Sequence, residues 1–197
     1  MPLTKITNKD YLTDIANLAP EILKEYNIAL QKAELRLPGG GVNGWSIMEI
    51  FHKCENLPNA EYLPTLKSAI SNLPSNIYPA FCWVSGIKGG ELTDKTVHYE
   101  LYPVGLIRYH ITLQASPKAS INIQENDNVW RKYTWEDNSV YKFENLQNLH
   151  YLSFNEITDK DRIIIVLDVF EDVPPTQSEV DVADRVVSMF LKPKEDR

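Results

Sequence analysis

Six residues in one half of this chain have the types and spacing to do chemistry: His98, Glu100, Arg108, His110, His150 and Arg162. Three of the four histidines fall between His98 and Arg162. In T-V-H-Y-E-L-Y, alternation puts His98 and Glu100 on one face and Val97, Tyr99 and Leu101 on the other. In L-I-R-Y-H-I-T-L, Arg108, His110 and Thr112 share one face, while Ile107, Tyr109, Ile111 and Leu113 share the opposite one. The apolar faces must pack against a layer. A row of His, Glu, Arg and His turned toward one cavity is costly to bury without a partner. A metal ion and an anionic ligand are partners that would suit it.

Elements that could position these residues are legible around them. Residues 8–18 predict a helix capped by Asn8, with Leu12, Ile15 and Ala16 on one side. Pro20 suits the first turn of a second helix carrying Ile22, Leu23, Tyr26, Ala29 and Leu30. Pro38-Gly39-Gly40-Gly41 reads as a connector. Residues 44–51 predict a strand, with His52 after it as a surface or packing histidine. Residues 60–73 predict a third helix, with Leu63, Leu66, Ile70 and Leu73 at helical spacing, and 80–87 a further strand.

Beyond His98 the pattern is strand and turn. Ile163 to Phe170 is a nearly unbroken apolar run, which predicts a central strand covered on both faces. Trp130, Tyr133 and Trp135 read as core or sheet-face aromatics. Ser178 is positioned to cap a closing helix that buries Val182, Ala183, Val186, Val187, Phe190 and Leu191. Short strands preceded by helices predict a mainly β chain with flanking helices (α+β) and a jelly-roll, cupin-like core. With 197 residues, a single domain is expected: supporting helices in 1–38 and 60–73, the jelly roll in 80–172, and a C-terminal helix in 176–192.

Composition narrows the function classes. Hydrophobic residues at 43% and charged residues at 24% are ordinary for a globular protein. The net charge of −7 argues against a general nucleic-acid binder. The sequence has no apolar run long enough to span a bilayer and no signal-peptide core at its start, so no membrane partner is expected. Two cysteines, Cys54 and Cys82, make no disulfide framework, and a reducing, cytoplasmic setting is expected.

The order of motifs from about Trp45 to Phe170 resembles the aspartyl/asparaginyl β-hydroxylase branch of the Fe(II)- and 2-oxoglutarate-dependent oxygenases. A tryptophan leads an early strand, and Leu63-Pro64-Thr65 matches a helix of that family. Arg108-Tyr109-His110-Ile111-Thr112-Leu113 matches an R-x-H-x-x-L strand. His150 stands where the second metal histidine belongs, with Phe154 in the place of a usual asparagine and Asn155 one position later. Asp161-Arg162 through Asp168-Val169 matches the final strand. The resemblance implies a double-stranded β-helix and iron held by His98 and His150. It implies a distal 2-oxoglutarate carboxylate on Arg162, with Arg108 and His110 also at the cosubstrate. Glu100, on the face of His98, is the natural third metal ligand; the competing expectation is a Glu100–Arg108 ion pair.

The implied reaction couples oxidative decarboxylation of 2-oxoglutarate by O2 to hydroxylation of an amino-acid side chain. That side chain would be aspartyl/asparaginyl or prolyl, on a small molecule or a peptide. The chain departs from the family in three respects. The His150–Arg162 spacing is long, so 155–161 must bulge. A serine expected early in the strand before His98 is replaced, with Cys82 and Trp83 near its position. Many members of the branch lack the carboxylate ligand. A metal cupin that does not use 2-oxoglutarate and a non-catalytic jelly-roll binding module are the alternatives.

Overall fold

A computed structural model describes residues 3–33, 44–53, 55–89, 105–125, 127–143, 148–154 and 160–191. The triple glycine and the strand expected around His98 and Glu100 lie outside the described residues.

The strands in chain order are β1 (Leu3–Ile6), β2 (Trp45–His52), β3 (Glu55–Asn56), β4 (Ile77–Ile87), β5 (Leu106–Gln114), β6 (Ala119–Gln124), β7 (Trp130–Tyr133), β8 (Val140–Phe143), β9 (His150–Phe154) and β10 (Arg162–Glu171). Seven form one sheet in the order β1-β8-β5-β10-β4-β2-β3, and three form a second in the order β7-β6-β9. Every described pairing is antiparallel. The apolar run 163–170 lies in β10, bonded to β4 on one side and β5 on the other, with every side chain from Arg162 to Phe170 buried.

The two faces of the large sheet build two cores. On the outer face, Met48, Ile50, Val84, Tyr109, Ile111, Ile165 and Leu167 meet the helices α1 (Asp10–Asn17), α2 (Ala19–Ala29) and α3 (Pro64–Ser71). The helices supply Leu12, Ile15, Ile22, Tyr26, Leu66 and Ile70. Each such aliphatic side chain contributes roughly 1.5–3 kcal/mol when fully buried. A Cβ at Gly86 would collide with the Tyr26 hydroxyl, so glycine is what lets α2 lie this close to β4. On the inner face, Ile47, Phe81, Trp83, Phe143, Ile164 and Val166 look toward Ala119, Ile121 and Ile123 of the small sheet. Two antiparallel sheets face to face, with helices outside the larger one, make the mainly β jelly roll expected from the strand spacing.

Several boundaries differ from the expectations. Lys9, not Asn8, holds the N-cap position of α1, and no side chain caps it. Leu30, expected on the buried face of α2, is 39% exposed. The 60–73 helix is broken by Pro64, whose ring fits a helix start; Pro58–Tyr62 forms a separate 3-10 turn before α3. The closing helix α4 (Gln177–Leu191) is capped by Thr176, not Ser178. Glu179 N donates to Thr176 Oγ1 at 3.3 Å and Thr176 N donates to Glu179 Oε2 at 2.7 Å, a reciprocal capping box. Its buried side is Val180, Ala183 and Val187, while Val182 and Val186 are half-buried. The side chains of Phe190 and Leu191 lie outside the described ones. No described helix is long and apolar enough to cross a membrane.

Candidate active site

β5 carries Arg108, His110 and Thr112 on its inner face, as alternation requires. Antiparallel register sets their neighbours: Asp168 lies opposite Arg108, Val166 opposite His110 and Ile164 opposite Thr112. The first pairing makes a buried fork. Arg108 Nε donates to Asp168 Oδ1 at 2.7 Å and Nη2 to Oδ2 at 2.8 Å. The guanidinium also stacks 4.9 Å from the centroid of the Trp83 ring. Arg108 therefore has one carboxylate partner in Asp168, and the expected pairing with Glu100 concerns a residue outside the described ones.

Arg162 opens β10 and is the largest fully buried side chain among the described residues, 1% exposed. Nη2 donates to Ser85 Oγ at 3.1 Å, and Ser85 Oγ also accepts the Trp45 indole N–H at 2.9 Å. The guanidinium carbon stands 4.9 Å from the centroid of Trp135. Among the described residues Arg162 Nε has no hydrogen-bond partner. Among the described residues no carboxylate pairs with this guanidinium; the adjacent Asp161 carboxylate instead accepts Gly89 N at 2.9 Å. Burial pulls the arginine down to about 9.

His110 sits between rings, 5.8 Å from Phe143 and 6.2 Å from Trp135. Burial first, then the charges of Arg108, Arg162 and His150, hold it well below the usual histidine range, so it is neutral. Its Nδ1 has no partner.

His150 begins β9, opposite Ile123, and packs 5.1 Å from Phe143. Its Nδ1 lies 2.8 Å from the Asn148 carbonyl oxygen. A carbonyl can only accept, so Nδ1 carries the proton in the neutral ring and Nε2 keeps its lone pair. A neighbouring carbonyl fixes metal-binding histidines in the same way.

These side chains line one cleft between the sheets. Arg108, His110, His150 and Arg162 share it with Trp45, Trp83, Ser85, Phe143 and Leu152, and its empty space, counting the open mouth, is about 450 Å³. Four of the six residues singled out in the sequence are thus brought together. His98 and Glu100 lie outside the described residues. Among the described residues no group of three or more His, Cys, Asp or Glu side chains could hold a metal.

Several residues at the site were missed in the sequence. The hydroxyl beside Arg162 comes from Ser85, on the face of Phe81 and Trp83, while Cys82 points into the opposite core. Trp135, read as a core or sheet-face aromatic, is buried but lies against Arg162. Asp168 neutralises Arg108.

No family sequence model matches the chain, and no curated protein matches it. Solved structures do. One is a 2OG-Fe(II) oxygenase family protein from Burkholderia pseudomallei: TM-score 0.53, 10% identity, 86% of this chain and 84% of that one. The fold is that of the 2OG-Fe(II) oxygenases, a double-stranded β-helix. A prolyl hydroxylase from Trichoplax adhaerens, solved with a hypoxia inducible factor peptide fragment, aligns at TM-score 0.52 and 15% identity over 92% of this chain and 87% of that one. The epimerase SnoN, solved with Fe3+, alpha ketoglutarate and nogalamycin RO, aligns at TM-score 0.54 and 11% identity over 91% and 84%. At these identities the likeness is one of fold.

Proposed function

We propose that this chain is an Fe(II)- and 2-oxoglutarate-dependent oxygenase that hydroxylates an amino-acid side chain. The observation that carries the reading is Arg162: a buried guanidinium with one neutral acceptor, Ser85, and no carboxylate among the described residues, in the same cleft as His150. A buried cation without an anion is costly. The distal carboxylate of 2-oxoglutarate, taken by a planar fork, would complete it.

The described residues fit one metal ligand, His150, and the far end of the cosubstrate. His150 keeps the Nε2 lone pair a metal needs, and His98 and Glu100 would complete a two-histidine, one-carboxylate set. When bound, iron and 2-oxoglutarate supply the oxidant: O2 is consumed, 2-oxoglutarate leaves as succinate and CO2, and one oxygen atom enters a substrate C–H bond. The chain's part is placement. Arg162 and Ser85 hold the far end of the cosubstrate, and His150 is oriented by the Asn148 carbonyl. The neutral Arg108–Asp168 pair and the aromatic wall of Trp45, Trp83 and Phe143 leave little for bulk water to solvate.

For the substrate, the R-x-H-x-x-L strand at Arg108 supports the aspartyl/asparaginyl branch. The peptide bound to the Trichoplax prolyl hydroxylase makes a peptidyl side chain, prolyl included, the companion reading. With Cys82 a free, buried thiol, a reducing cytoplasmic setting suits the protein.

The test is reconstitution with Fe(II), 2-oxoglutarate and O2, following succinate, with free aspartate, asparagine and proline and with peptides containing them. Mass spectrometry should find one added oxygen atom in one of these. A protein that binds iron but neither binds nor consumes 2-oxoglutarate would be a metal cupin of another kind, and the proposal would fall.

A further inference from the structure

We propose that Trp135 is a positioning residue for Arg162, its ring holding the guanidinium in place. The inference rests on reading Arg162 as the cosubstrate anchor. Arg162 is bonded to a single neutral hydroxyl, so something else must compensate its buried charge before any ligand arrives. Among aromatic side chains, tryptophan presents the face that attracts a cation most strongly. Trp135, 5% exposed, places its ring centroid 4.9 Å from the guanidinium carbon.

The ring is held by the turn that follows it. Glu136 N donates to the Tyr141 hydroxyl at 3.1 Å. Asn138 N donates to the Thr112 carbonyl at 3.1 Å, and Thr112 N donates to the Ser139 carbonyl at 2.9 Å. The turn after Trp135 is thus bonded to β5 beside the inner face, which fixes the indole before cosubstrate binds.

Unpaired polar atoms make the second observation. His110 Nδ1, Thr112 Oγ1, Trp135 Nε1 and Arg162 Nε are all buried without a hydrogen-bond partner. They belong to one neighbourhood: Thr112 lies opposite Ile164, two residues from Arg162, and Trp135 contacts both Arg162 and His110. Packing alone does not gather four such atoms. Two of them, His110 Nδ1 and Arg162 Nε, belong to residues that line the cleft.

Three variants and two acids test this. Trp135→Phe keeps a ring but loses the N–H, and Trp135→Leu keeps apolar volume but loses both. Arg162→Lys identifies the Arg162 Nε–H signal in nitrogen-15 spectra. In the wild type that proton should be shifted upfield by the indole ring current, and the shift should vanish in Trp135→Leu. Calorimetric titration of the Zn(II)-loaded protein with 2-oxoglutarate and with glutarate, which keeps the distal carboxylate but lacks the 2-oxo group, gives affinities. Trp135→Leu should bind both acids about ten- to thirty-fold more weakly, with Trp135→Phe between it and the wild type. In turnover, KM for 2-oxoglutarate should rise with kcat kept.

Equal affinities of wild type and Trp135→Leu for both acids would overturn the positioning role. So would an undisplaced Arg162 Nε–H in the wild type, a measurement that stands even if Trp135→Leu does not fold. Tryptophan-dependent binding of glutarate without succinate formation from 2-oxoglutarate would uphold the positioning role and overturn the cosubstrate reading. Binding of neither acid would overturn both.

Discussion

Asp168 accepts both ends of the Arg108 fork, at 2.7 and 2.8 Å, so one of the two arginines in the cleft carries its own counter-ion. Asp168 is fully buried, and register places it directly opposite Arg108. Asp168→Ala would leave a guanidinium in the cleft wall without that carboxylate. The expected cost is about 3–5 kcal/mol of folding stability, read from urea unfolding curves. Replacing both partners, Arg108→Met with Asp168→Leu, should recover most of that loss. A single variant as stable as the wild type would mean that the pair is not what neutralises Arg108.

Arg162 is the opposite case, and its variants should separate stability from binding. Its charge is buried without a carboxylate among the described residues, so the folded, ligand-free protein bears the desolvation. Arg162→Leu should leave the ligand-free protein at least as stable as the wild type, while lacking the rise in melting temperature expected of the wild type with 2-oxoglutarate. The pH dependence follows from burial pulling the group down from the ordinary arginine range to about 9. Between those values the unfolded chain holds a proton that the native protein has lost, so wild-type stability gains with rising pH. Arg162→Leu should lack that gain. Wild-type and variant curves that run parallel across this window would refute the assignment.

The sequence carried the strands well and the polar contacts poorly, for a physical reason. Alternation in 106–114 placed Arg108 and His110 on one face because period two is a property of the chain itself. The unbroken apolar run likewise marked β10 as central. Asp168 and Trp135 have no such local sign. Asp168 acquires its role only when β10 and β5 come into register. Ser85 sits in the apolar stretch F-C-W-V-S-G-I, where its parity with Phe81 and Trp83 was the available signal. Trp135 reaches Arg162 from the irregular segment between β7 and β8, which has no periodicity to extrapolate. The cap expected at Asn8 failed similarly, since α1 begins after Lys9 with no side-chain cap.

His150→Ala should remove divalent metal binding with the fold kept. The Nδ1–H to Asn148 carbonyl bond leaves Nε2 as the basic nitrogen, which is the state a metal requires. Elemental analysis after loading with Fe(II) under argon, with circular dichroism as the fold control, measures this. His150→Gln should also bind poorly, since an amide is a weak ligand at a position built for imidazole. Full iron occupancy in His150→Ala would exclude this histidine from the metal set and direct attention to His110, the other cleft histidine among the described residues.

His52 should make the attachment of α4 depend on pH. Its Nδ1 lies 3.3 Å from Glu49 Oε1 and its Nε2 lies 2.8 Å from Asp184 Oδ1 on α4. Asp184 is held in turn by Lys53 at 2.7 Å and by Ser188 at 3.2 Å. The hydrogen bond to Glu49, opposed by burial and aided by that to Asp184, raises His52 above 6.5. A raised folded value stabilises: the contribution is fully present below 6.5 and fades as pH rises through the native value. The histidine is partly exposed, so the contribution is about 1 kcal/mol or less. His52→Gln should therefore be less stable than the wild type in mild acid and close to it in mild alkali. Amide exchange in α4 should follow the same trend, because Ala183 and Val187 depend on the helix staying against Phe81. A stability difference between wild type and His52→Gln that is the same on both sides of the transition would show that the imidazole acts by packing on Phe81, 5.1 Å away, and not through its charge.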